Sequence, residues 1–153
     1  QMCIRDRYNV KLVYLSTDYV YPGTDGGYRE EDPVKPFNKY AWSKMGGECA
    51  AQLCENSLIL RMSMSDKPFP HPKAFVDVKK NMIYNDDAAK IVLKLLEHSG
   101  IINVGGEAVC VYDFVKQSNE DVGKIFLKDI SDVEVAPNPF MNVDKMKRLV
   151  DGE

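Results

Sequence analysis

Tyr40 and Lys44 stand four residues apart in the run Tyr40-Ala41-Trp42-Ser43-Lys44. Side chains at i and i+4 share one face of a helix, so a helix here points the phenol and the ammonium the same way. A cation beside a phenol favours the phenolate and lowers the phenol pKa. The pair is then a tunable proton donor and acceptor, as general acid–base catalysis requires. Upstream, an apolar run from Lys11 to Leu15 leads into Ser16-Thr17-Asp18-Tyr19-Val20-Tyr21. Read as a strand, it ends in hydroxyls and one carboxylate. Thr17, just past the carboxyl end, reaches the space of Tyr40 if the helix packs beside that strand.

A Tyr-x-x-x-Lys pair recurs by chance in a chain rich in both residues, so context decides. Tyr112 and Lys116 also match the spacing. No strand ending in Ser-Thr precedes them, and Asp113 opens an apolar helix there. Tyr112 and Lys116 therefore read as structural. For Tyr40 and Lys44, Asn38 is a plausible N-cap and the Thr17 strand lies upstream.

The elements that must position these groups are legible in outline. Val10 to Ser16 is nearly continuous apolar sequence, as in a strand covered on both faces. Pro22-Gly23 and Asp25-Gly26-Gly27 mark turns. Tyr28 to Lys39, polar and proline-punctuated, reads as a solvated loop. A helix is predicted over 39–55, with Ala41, Met45, Cys49 and Leu53 as its core stripe and Tyr40, Lys44 and Gly47 on another face. Gly46-Gly47 inside a helix disfavours it by about 1 kcal/mol per Gly, and suggests close approach of a neighbour. Ser57 to Met62 is a strand. Asp66 to Ala74, with Pro68, Pro70 and Pro72, is a loop. Lys79 to Tyr84 reads as a short strand. Ala88 to His98 is an amphipathic helix, with Asn85, Asp86 and Asp87 as cap and first turn. Ile101 to Val104 is a strand, and Tyr112 to Asn119 a short helix with Phe114 and Val115 inward. Lys124 to Leu127 and Val133 to Ala136 suggest edge strands.

Composition excludes several function classes. The net charge of −3 and the absence of a long basic cluster argue against nucleic acid as a partner. No apolar run approaches the length of a membrane span, so no membrane partner is expected. Cys3, Cys49, Cys54 and Cys110 have no Cys-x-x-Cys spacing and read as free thiols in a reducing cytoplasm. His71 and His98 are isolated, and no metal site is expected. Residues 1–8, opening QMCIRDR, lack periodicity and a signal-peptide core, and are set aside as a non-native leader.

The run from Ser16 to Tyr21, Tyr-x-x-x-Lys 23 residues after Thr17, and Gly47-Glu48 together resemble the extended short-chain dehydrogenase/reductases. Within them the chain most resembles the dTDP-4-dehydrorhamnose reductase-like, sugar-nucleotide-binding family, from roughly Val10 to Val150. The resemblance implies an α/β fold: the C-terminal part of a Rossmann-like, doubly wound parallel sheet with a small substrate-binding subdomain. Residues 9–65 would then be the last part of the NAD(P)-binding domain. Residues 66–153 would be the substrate-binding region, with the 101–104 strand returning to the main sheet and a closing helix beginning at Asn142. Thr17 would hydrogen-bond the reacting sugar oxygen, Tyr40 would be the acid/base, and Lys44 would bind the nicotinamide ribose and tune Tyr40. Tyr40, Lys44, Arg61, Met62 and Ser63 would contact the cofactor, NADP or NAD. Thr17, Asp18, Tyr19 and Met64 would contact a nucleotide-sugar substrate. The family carries Trp where Met64 stands.

The implied activity is NAD(P)H-dependent reduction of the keto group of a nucleotide-activated sugar. A NAD-dependent nucleotide-sugar epimerase or dehydratase would use the same residues. A non-catalytic regulatory or binding module is a third reading, because relatives of this reductase act as regulatory subunits. The sequence has no Gly-x-x-Gly-x-x-Gly after a strand, the feature that holds the cofactor pyrophosphate at a helix N-terminus. The resemblance therefore implies a truncated, inactive chain that forms a homodimer, if at all, only at full length.

Overall fold

The computed structural model describes Tyr8 and residues 10–152. The expected leader, apart from Tyr8, and Cys3 lie outside the described residues.

Three parallel strands form the centre: β1 (Leu12–Thr17), β2 (Ser57–Met62) and β7 (Gly100–Val104), in the order β1-β2-β7. Leu12 stands opposite Ser57, Thr17 opposite Met62, and Met62 opposite Val104. Every residue of β2 is buried, as its unbroken run Leu58-Ile59-Leu60 requires of a central strand covered on both faces. Among the described residues β1 pairs on one side only, and Leu15 on it is 41% exposed.

Strand alternation divides the sheet into two faces. Leu58, Leu60, Met62, Ile102 and Val104 pack on one face with helices α2 (Asn85–Leu95) and α4 (Asp144–Asp151). Helix α1 (Lys39–Ala51) covers the other, meeting Tyr14 of β1 and Arg61 of β2. The arrangement is mixed α/β with a parallel sheet, the expected fold class.

A smaller lobe is built from short pieces. β3 (Met64–Ser65) pairs in parallel with β6 (Ile83–Tyr84), β4 (Lys73–Phe75) in parallel with β9 (Gly123–Ile125), and β5 (Lys79–Lys80) antiparallel with β8 (Val109–Cys110). Its core gathers Ala74, Val78, Met82, Val111, Val115 and Val122, with α3 (Val111–Lys116) contributing Val111 and Val115.

Several local expectations are corrected. In α1 the buried residues are Ala41, Glu48 and Ala51, while Cys49 is exposed and Leu53 is 68% exposed. The helix ends at Ala51, short of the expected 55, so Leu53 lies beyond it; within the helix a strict i+4 stripe rotates about 40° per step at 3.6 residues per turn, which carries Cys49 away from the line of Ala41. The seam instead follows Glu48, whose charge is matched from β2. Tyr28 to Lys39 is not merely solvated: Tyr28 is 8% exposed and stacks on Tyr21 at 4.9 Å between ring centroids. Asn85 is the first residue of α2 rather than its cap, its side chain donating to Asp66 Oδ1 at 2.6 Å. Lys79 to Tyr84 divides into β5 and β6 around buried Asn81 and Met82. A 3₁₀ turn, Leu127–Asp129, ends the strand expected over 124–127, and 133–136 forms no strand. α4 begins at Asp144, with Asn142 Oδ1 accepting its N–H at 3.0 Å.

Candidate active site

α1 starts where Asn38 Oδ1 accepts the Ala41 N–H at 2.9 Å. The cap fixes the first turn, which presents Tyr40 at 55% exposure. Tyr40 lines an open concavity of about 520 Å³ between this turn and segment 131–134. One turn on, the Lys44 ammonium lies 4.8 Å from the centroid of the Tyr14 ring. Among the described residues neither the Tyr40 hydroxyl nor the Lys44 ammonium has a hydrogen-bond or ion-pair partner. Both remain available to a ligand, and the donor set suits a ribose hydroxyl.

Tyr14 was missed by sequence reasoning. Its hydroxyl donates to the Lys44 carbonyl oxygen at 3.2 Å, and its ring underlies the Lys44 ammonium. Desolvation first, then the nearby Glu48 and Tyr40, push its phenol above the ordinary range. The signal that could have found it is Gly47: a Cβ there would lie 2.0 Å from the Tyr14 hydroxyl oxygen, so only Gly admits the ring.

β1 ends at Thr17, which is 6% exposed, and the chain turns at once into a 3₁₀ helix, Asp18–Val20. Thr17 caps that helix, Oγ1 accepting the Tyr19 N–H at 3.3 Å and donating to Asp18 Oδ1 at 3.0 Å. α1 packs against both β1 and this 3₁₀ helix, so Thr17 and Tyr40 belong to neighbouring elements. Ser16 precedes Thr17 on the face toward α1. Its hydroxyl is buried and finds no partner among the described residues.

The other anticipated contacts divide. Asp18 is 2% exposed and paired with Lys80, whose ammonium lies 3.0 Å from Oδ2. Tyr19 is half-buried, with the Lys80 ammonium 4.1 Å from its ring centroid. Arg61 is 2% exposed. Its guanidinium meets both carboxylate oxygens of Glu48, at 3.0 and 2.7 Å, and the Tyr21 hydroxyl at 2.8 Å. Met62 is in the core under α2, and Ser63 is buried, its carbonyl accepting the Ile83 N–H at 3.1 Å. Met64 is 42% exposed at the start of the small lobe. Tyr112 and Lys116 belong to that lobe, the ammoniums of Lys116 and Lys124 lying 5.5 and 4.9 Å from the Tyr112 ring centroid. Among the described residues no group of His, Cys, Asp or Glu could hold a metal, and Cys49, Cys54 and Cys110 are free. Among the described residues no helix is long and apolar enough to cross a membrane.

Comparison with known proteins decides the family. The RmlD substrate binding domain family matches residues 3–93, more than half of the chain. The chain belongs to the RmlD substrate binding domain family. This RmlD-type chain is 49% identical over 47 residues to methionine adenosyltransferase 2 subunit beta of Bos taurus, across 31% of the chain and 14% of that relative. It is 31% identical over 136 residues to the spore coat polysaccharide biosynthesis protein SpsK of Bacillus subtilis (strain 168), across 76% of the chain and 48% of SpsK. It thus spans less than half the length of either curated relative. Among solved structures it resembles a hypothetical dTDP-4-dehydrorhamnose reductase from Sulfolobus tokodaii, with TM-score 0.78 and 25% identity over 94% of the chain and 60% of that protein. A dTDP-4-dehydrorhamnose reductase from Bacillus anthracis, solved with NADP, shares the fold at TM-score 0.75 and 20% identity, over 95% of the chain and 60% of that protein. Both neighbours are Rossmann-like reductases, in agreement with the parallel sheet.

Proposed function

We propose that the RmlD-type chain carries the proton-transfer site of an oxidoreductase acting on a nucleotide-activated sugar, with NADP or NAD as partner. The observation carrying this reading is the presentation of Tyr40 and Lys44 one turn apart on α1. Among the described residues both polar ends are unpaired, and the helix is packed on the strand that ends in Thr17. The bound nicotinamide would supply the hydride. Tyr40 gives the proton to the sugar oxygen. Lys44, held over Tyr14 and free of carboxylates, stabilises the phenolate left behind and reaches a ribose hydroxyl. Thr17 fixes the sugar oxygen. Residues 9–65 then serve the cofactor side and 66–153 the substrate side, with Met64 where the two meet.

The experiment uses the full-length protein that contains this chain, supplied with dTDP-4-dehydrorhamnose and either reduced nicotinamide. Stoichiometric consumption of NADPH or NADH supports the reductase. Tightly held NAD with no net consumption supports an epimerase or dehydratase.

A second reading has its own observation, the 49% identity over 47 residues to a methionine adenosyltransferase subunit. In it the chain is a binding module that works beside another polypeptide. Co-purification with a methionine adenosyltransferase catalytic chain, without oxidation of reduced nicotinamide, favours this reading.

A further inference from the structure

The Lys44 side chain is held without a carboxylate. Four residues on along α1 stands Glu48, where a helical lysine commonly finds its ion-pair partner. Glu48 is fully buried, and both its oxygens are taken by the Arg61 guanidinium, at 3.0 and 2.7 Å. Among the described residues no ion pair includes Lys44. Its ammonium meets the Tyr14 ring instead, 4.8 Å from the centroid. That ring is fixed from two sides. β1 carries it, and its hydroxyl donates to the Lys44 carbonyl oxygen at 3.2 Å. The ring is thus tied to the residue whose ammonium it faces. Gly47 leaves the room for it: a Cβ there would lie 2.0 Å from the Tyr14 hydroxyl oxygen and 2.8 Å from a ring carbon.

The kind of contact matters. A carboxylate would cancel the charge of the ammonium and compete with a ligand for its three N–H donors. An aromatic face attracts the cation through its quadrupole and leaves the charge in place. A lysine side chain loses rotamer freedom when a ligand fixes it. The ring meets part of that loss before the ligand arrives.

We propose that Tyr14 is a positioning residue for Lys44 and that Gly47 keeps its place open: the ring holds the ammonium, charged and free of carboxylates, ready for a ribose hydroxyl of the cofactor. This rests on the reading of Lys44 as a ribose ligand. Tyr14 and Gly47 act on the cofactor through Lys44.

A double-mutant cycle on the full-length protein tests this. The readout is the calorimetric Kd of NADPH or NADH, whichever the wild type binds more tightly. Lys44→Met should weaken binding about tenfold or more, the scale of hydrogen bonds from a charged group. Tyr14→Leu should weaken it about threefold to tenfold, the scale of one cation–π contact. Tyr14→Phe keeps the ring and should stay within about twofold of the wild type. In the Lys44→Met background Tyr14→Leu should add less than about twofold, because no ammonium is left to hold. An equal loss from Tyr14→Leu in both backgrounds overturns the proposal, since a merely structural residue acts whether or not Lys44 is present. Wild-type affinity in Tyr14→Leu, with Lys44→Met weakened, overturns it too. Gly47→Ala displaces the ring and should also weaken binding. If Tyr14→Leu does not fold, wild-type affinity in Gly47→Ala overturns the proposal. Wild-type affinity in Lys44→Met is a different failure: it sinks the ribose-binding reading of Lys44, and the positioning role with it.

Discussion

Arg61 and Glu48 form a two-pronged ion pair in which the side chains are 3% and 0% exposed. The Arg61 Nε lies 3.0 Å from Glu48 Oε1 and the terminal nitrogen 2.7 Å from Oε2. The same guanidinium donates to the Tyr21 hydroxyl, which donates in turn to Asn103 Oδ1 at 2.9 Å. Glu48 lies one turn beyond Lys44 on α1 and Arg61 lies on β2, so the pair fixes the rotation and height of the helix that presents Tyr40 and Lys44. The guanidinium is directional, and its fork admits one placement of the carboxylate.

Removing one partner leaves the other charged and buried. Glu48→Ala should destabilise the fold by about 3–5 kcal/mol, the scale for breaking a buried pair. Urea unfolding checks this through the midpoint at constant slope. A loss below about 1 kcal/mol would mean the pair behaves as an exposed one.

Adjacent glycines should respond in opposite directions. At Gly46 an added Cβ meets nothing within 4 Å, so Gly46→Ala should stabilise by up to about 1 kcal/mol through helix propensity. At Gly47 the same Cβ would lie 2.0 Å from the Tyr14 hydroxyl oxygen and 2.3 Å from its ring carbon. Gly47→Ala should destabilise, and Tyr14→Ala should reverse the sign. Thermal unfolding of the wild type, Gly46→Ala, Gly47→Ala, Tyr14→Ala and the Tyr14→Ala/Gly47→Ala double variant decides. Equal behaviour at 46 and 47 would remove the contact from consideration.

In the full-length protein, Tyr40→Phe should lower turnover of a nucleotide sugar by about 10²–10⁴-fold, the usual scale for an acid–base group. Tyr112→Phe, in the small-lobe core, should change it little. Comparable losses from both would show that the reacting pair is misassigned.

Alkali should unfold the chain. Desolvation first, then charged neighbours including Glu48 and Asp18, holds the phenols of Tyr14 and Tyr19 above the ordinary 10.0; for Tyr21 burial outweighs the nearby Arg61. Lys80 lies above 10.5 on balance, Asp18 and Tyr19 outweighing burial. Each group keeps its proton more tightly folded than unfolded. Their stabilisation is whole below the unfolded values and is lost as pH climbs past about 10. Tyr28 runs the other way: burial alone would raise it, but hydrogen bonds from Thr24, Asp25 and Gly26 bring it below 10.0. Phenolate absorbance should therefore rise late, together with loss of helical circular dichroism. Smooth titration of every tyrosine near 10, with the fold intact, would contradict the burial of Tyr19 and Tyr21.

The 153-residue chain alone should bind NADPH and NADH weakly, with Kd above about 10 μM. In the proposed function Tyr40 and Lys44 would meet only the ribose and nicotinamide end, and the sequence has no Gly-rich strand–turn–helix to meet the pyrophosphate. Calorimetric titration measures it, and tighter saturable binding would reveal another pyrophosphate site.

Local order determined much of this protein in advance. The run Ser57 to Met62 became a strand at those bounds because six residues with an unbroken apolar centre suit only a strand covered on both faces. The spacing of Tyr40 and Lys44, and Asn38 before them, placed two polar groups on one face of a capped helix. The periodicity of Ile91, Val92 and Leu95 marked the inner side of α2. What the sequence could not order is how distant charges meet. Arg61 is 13 residues from Glu48, and Lys80 is 62 from Asp18; neither spacing is a helix or strand period, so no pattern along the chain ties them. Only the close packing of α1 on β2, and of the small lobe on the end of β1, brought each charge to its partner away from water. There an unpaired charge would have destabilised the fold, and the pairing decided which face of α1 turned inward.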